Sequence, residues 1–145
     1  MNFSLMKAGQ VTSGQLTALV PEDAGGRQAR TRAVFVERNA FGFFDPFISQ
    51  CWPDYSNSIR KREYRIPTEV WRQIIERVSD FRMALMAAQA PEALTGMGFV
   101  MGSHYGAAGN NFAQTQQGIA GLISELVAWL QSELPCCGYV DIVDL

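Results

Sequence analysis

The sequence predicts a single α+β domain in which an antiparallel sheet packs against two main amphipathic helices. Three observations predict it. Two long segments carry apolar residues at the three-and-four spacing of a helix face, and short alternating segments lie toward both ends of the chain. The length, 145 residues, is that of one domain, and folding at this size buries roughly 70% of the unfolded surface, enough for a core without staples. Apolar residues make up 48% of the chain and charged residues 18%, which excludes a disordered polar polymer. Residues 1–145 are therefore read as one globular unit, with no repeat, low-complexity tract or interdomain linker.

In chain order, QLTALV (Gln15 to Val20) fits a strand, and the turn-rich PEDAGGRQAR after it fits a surface loop. TRAVFVER reads as a second strand, with Val34 and Val36 on one face and Ala33 and Phe35 on the other. Asn39 and Gly42 bracket an expected turn or bulge, and the aromatic density of FGFFDPF suggests a further strand at the edge of the core. SQCWPDYSNS is punctuated as a loop presenting Trp52 and Tyr55, and IRKREYRI follows as an extended charged piece. Pro67 marks a helix entrance. Val70, Trp71, Ile74, Val78, Phe81 and Leu85 then define the buried stripe of a helix expected over about 68–90, ending before Pro91 because proline disfavours helical geometry in the preceding residue.

A second helix is expected over about 115–134, from the stripe Ile119, Leu122, Ile123, Leu126, Val127, Leu130 and Leu134, with Pro135 closing it. Contributions to the sheet are expected near residues 97–105 and 139–144, the latter from the alternation in GYVDIVDL.

The opening MNFSLMKAGQVTSGQ has no unbroken apolar run of the secretory kind. Glu92 and Glu125 interrupt the two most apolar stretches. A soluble, cytoplasmic protein without membrane association is the expectation. Cys51, Cys136 and Cys137 are an odd number without CxxC spacing, so free buried thiols are expected rather than a disulfide framework or zinc site. A redox or metal-sensing role for the vicinal Cys136–Cys137 pair is the sharper alternative.

Gly96, Gly98 and Gly102 give GxGxxxG, one residue longer than a dinucleotide fingerprint, and no Lys-Ser/Thr pair makes a phosphate loop. No cofactor or metal is expected. His104, the single histidine, could act as a general base, but no GxSxG, HExxH or DxDxDG pattern accompanies it. All twelve Lys and Arg lie at or before Arg82, leaving residues 1–82 at +3 and the rest at −5. The most distinctive polar and aromatic cluster is Trp52, Tyr55, Arg60, Arg62 and Arg65. These residue types dominate protein interfaces, because aromatic rings give contact area at low entropic cost and guanidinium groups bind carboxylates directionally.

The sequence thus points to a small protein-binding module, in the manner of an immunity or antitoxin protein that inhibits a partner toxin enzyme. An enzyme or ligand-binding domain using His104 and the Gly96–Gly109 turn is the second reading. A nucleic-acid-binding accessory protein is the third, and a net charge of −2 weighs against it. A solvated, charged edge strand accounts for the arginine cluster without any partner.

Overall fold

A computed structural model describes residues 1–11, 14–56, 62–97 and 112–145. Its frame is a five-stranded antiparallel sheet: β1 (Met6–Lys7), β2 (Leu16–Pro21), β3 (Val34–Glu37), β4 (Glu63–Pro67) and β5 (Tyr139–Asp144), in the order β1-β3-β2-β5-β4. Among the described residues the α-helices are α1 (Arg38–Phe41), α2 (Asp45–Cys51), α3 (Thr68–Ala87) and α4 (Phe112–Glu133). The expected α+β architecture holds, and both long helices are present.

Strand alternation divides the sheet into two unlike faces. Leu19 lies opposite Val34 and Ile142, and these residues belong to the main core with Tyr64, Ile66 and Val140. The buried stripes of α3 and α4 complete that core. Trp71 locks α3 to the sheet, because its indole N–H donates to the carbonyl of Val140 at 3.0 Å and so is satisfied inside the core. The side chains one residue out of phase form a second, smaller cluster. Ala18, Val20 and Ala33 are its buried centre, and Phe35 and Val143 pack against them.

Three expectations change. The FGFFDPF stretch is helical: α1 passes through a 3-10 turn at Gly42–Phe44 into α2. Its aromatics follow a three-residue spacing, with Phe41, Phe44 and Phe47 all buried, whereas a strand would have placed alternate residues inward. Pro46 in the first turn of α2 is compatible with a helix start and provides no sheet donor. The helix expected to run to 90 ends at Ala87, with Ala88 already extended. There the Gln116 side-chain amide donates to the carbonyls of Leu85 and Ala88, satisfying the end of α3 from α4 and removing the need for another turn. Finally, the two-residue β1 pairs with β3 at one edge of the sheet, an element too short for periodicity to register. Of the expected strand near 97–105, Met97 closes a 3-10 stretch from Pro91 and the remainder lies outside the described residues.

Candidate functional site on the open sheet face and the β4 edge

The outer strand β4 carries Glu63 and Arg65 on one face and Tyr64 and Ile66 on the other, the second pair buried in the main core. Of the expected interface cluster, this alternation puts Arg65 on the face away from the helices. Tyr55 is on the helix side: it is buried, its ring is 4.8 Å from that of Tyr64, and its hydroxyl donates to Asp45 Oδ1 at 2.6 Å. Trp52 is half-buried at the end of α2, and its carbonyl accepts from the Tyr55 amide. Arg62 is exposed just before β4, where its carbonyl accepts from the Asp144 amide. It makes no ion pair among the described residues. Arg60 lies outside them, as do His104 and the Gly96–Gly109 turn from residue 98 onward.

Arg65 stands in a polar network that no sequence spacing announced. Its Nε and Nη2 each donate to Asp141 at 3.1 Å, a two-point contact across the β4–β5 register. The two ends of this pair differ: the Asp141 side chain is 0% exposed and that of Arg65 57% exposed. The guanidinium also lies 3.8 Å from the centre of the Tyr139 ring, a cation–π arrangement. The hydrogen bonds from Arg65 to Asp141 hold the guanidinium pKa above its ordinary value. From the loop after β2, the Gln28 amide donates to Asp141 Oδ2 at 2.8 Å and also to Glu63. Desolvation raises the Tyr139 phenol above its usual pKa, and its hydroxyl donates to the Gly26 carbonyl at 2.9 Å. The network pins the loop over residues 22–29 against β5 and covers the buried carboxylate.

Beside this network the same face sinks into an apolar trough of about 280 Å³. Ala18, Val20 and Ala33 form its floor and Phe35, Val143 and Leu145 its walls, while Gln28 and Arg30 stand at the rim. One-sided antiparallel sheets ordinarily turn polar residues to water. Here Ala18 and Val20 of β2, Phe35 of β3 and Val143 of β5 make this part of the outward face apolar instead. Arg30 is exposed and donates to Gln28 Oε1 at 3.4 Å, and it forms no ion pair among the described residues.

The cysteines are free thiols, with Cys136 exposed and Cys51 and Cys137 half-buried, so the expectation of burial holds only in part. Burial holds the Cys137 thiol above its ordinary pKa. Among the described residues no helix is long and apolar enough to cross a membrane. The chain has no significant match to a family model, a curated protein or a solved structure.

Proposed function

We propose that this chain is a small protein-binding module that acts in the cytoplasm as an immunity or antitoxin protein, inhibiting a partner toxin enzyme by covering it. The supporting observation is the corner of the sheet before β4. Arg62 is exposed there with no acid at ion-pair distance among the described residues, and the Tyr55–Tyr64 ring contact ties the Trp52 turn to the same strand. An exposed guanidinium with no carboxylate partner among the described residues, just before the strand to which the Trp52 turn is tied, suits an acidic protein surface, because guanidinium groups bind carboxylates directionally.

The test is to express the product of the neighbouring gene and titrate it with this protein by calorimetry. Arg62→Glu is expected to weaken the complex by roughly tenfold or more, with slower association and an unchanged melting temperature. Absence of a complex overturns the immunity reading, and a complex indifferent to both Arg62→Glu and Trp52→Ala overturns this surface. Titration against a mixed-sequence oligonucleotide checks the nucleic-acid alternative, for which affinity falls log-linearly with salt.

A further inference from the structure

We infer that the trough on the open sheet face is a binding site for a small amphipathic carboxylate, a medium-chain acyl anion whose tail lies on the Ala18–Val20–Ala33 floor and whose carboxylate meets Arg30. The chemistry of the lining carries this assignment. The floor and walls offer no hydrogen-bonding side chain, so a sugar or a phosphate ester would have its polar groups stranded there. A linear alkyl chain loses nothing on such a surface and gains burial of its methylenes.

The rim is equally selective. Among the described residues no acidic side chain lines the trough, and the one cationic side chain there is the exposed guanidinium of Arg30. Gln28 is anchored through its amide to Asp141 and Glu63, and its carbonyl oxygen faces Arg30, which orients that guanidinium at the rim. One cation at the edge of an apolar depression complements one anion at the end of an apolar chain.

Size sets the chain length. At about 280 Å³ the trough lies at the lower end of the roughly 300–1,000 Å³ typical of ligand clefts, which suits a medium acyl chain such as octanoate rather than a long one. The floor owes its depth to small residues on β2 and just before its neighbour β3. Ala18 and Ala33 are both nearly fully buried, yet they belong to a cluster separate from the main core under the helices.

The experiment is a titration of the full chain with octanoate, followed by amide chemical-shift perturbation, with octylammonium as the control of opposite charge. Saturable shifts centred on Val20, Phe35 and Val143 are expected, at least tenfold weaker for octylammonium and for Arg30→Gln. Ala18→Leu, which fills the floor, is expected to abolish binding in a protein whose spectrum otherwise remains folded. Should that variant unfold, Arg30→Gln and the octylammonium control decide alone, since Arg30 is exposed. No saturable shift, equal affinity for the two probes, or binding unaffected by Arg30→Gln overturns the proposal. Because the protein-binding reading rests on Arg62 and Trp52, either proposal can fail while the other stands.

Discussion

Asp141 is the residue on which the open face depends. A carboxylate with no solvent exposure is tolerable only while its oxygens are filled, and here Arg65 and Gln28 fill them. Arg65→Ala is therefore expected to destabilise the fold toward the lower end of the roughly 3–5 kcal/mol typical of a broken buried pair, because Arg65 itself stays half in water. Chemical denaturation measures it, and a loss below about 0.5 kcal/mol would show that water replaces the guanidinium freely. Neither partner was legible as such. Arg65 and Asp141 are 76 residues apart and Gln28 and Asp141 113 apart, and no local pattern encodes contacts set by strand order. Asp23 offers a pH-dependent counterpart. Its Oδ1 accepts from the Gly25 amide at 2.8 Å and the Arg27 amide at 2.9 Å, and these bonds, the Arg27 one foremost, lower its pKa below the ordinary 3.8. A lowered carboxylate pKa contributes stability that is complete above the unfolded value and lost as pH falls through the folded one. Amide exchange at Gly25 and Arg27 is thus expected to accelerate, relative to the β5 amides, only below the ordinary carboxylate range. Acceleration already at neutral pH would refute the turn.

Among the elements, α3 illustrates how sequence pattern and packing agree. Phe81 is nearly fully buried, and its ring centre is 4.8 Å from that of Phe47 on α2. Phe81→Ala should cost about 3–5 kcal/mol through lost burial and a cavity, read as a lowered unfolding midpoint; an unchanged midpoint would mean the site collapses without strain. The stripes of α3 and α4 were readable because a helix of 20 or 22 residues repeats its period several times. The stretch from Arg38 to Cys51 was not, because a four-residue α1, a 3-10 turn and a seven-residue α2 never complete a clear period, and phenylalanine suits a strand as readily as a buried helix. The usable signal was Asp45-Pro46, a helix-start pair within the aromatic run. Gly118 shows a contact that no periodicity reveals. A Cβ there would clash with the Phe3 ring, so the glycine in α4 admits the N-terminal segment, whose Leu5 amide also donates to Glu125. Gly118→Ala should displace Phe3 and offset the roughly 1 kcal/mol of helix propensity that alanine supplies. In a Phe3→Ala background the same substitution should instead stabilise, and a double-mutant cycle without coupling would contradict the contact.

At the scale of the whole molecule, the strand order makes β5 the element on which assembly turns. β5 lies between β2 and β4, with Leu19 opposite Ile142 on one side and Tyr64 opposite Ile142 on the other. It therefore joins the β1-β3-β2 half of the sheet, built from the first 37 residues, to the β4–α3 half. Val140 and Ile142 are almost wholly buried, and the Val140 carbonyl accepts from Trp71, so β5 also seats α3. The pairing spans nearly the full sequence, Thr17 with Asp144, so it carries a large loop-closure entropy cost that the packing of β5 must offset. Without β5, β2 and β4 would each lose a partner strand and Trp71 its acceptor, and among the described residues no other strand lies between the two halves. A chain ending before Tyr139 is accordingly expected to lose cooperative unfolding altogether, with weakened near-ultraviolet circular dichroism from its buried aromatics. Ile142→Ala, which leaves the backbone ladder in place, should keep a single transition lowered by about 2–5 kcal/mol. The edge strand β1 provides the contrast, because two residues paired on one side only cannot hold the sheet together. Removing residues 1–7 should lower the midpoint, through loss of the Phe3 and Leu5 contacts, yet leave the transition cooperative. A truncated chain lacking β5 that still unfolds in one sharp transition would show that the two halves are joined through α3 and α4 instead.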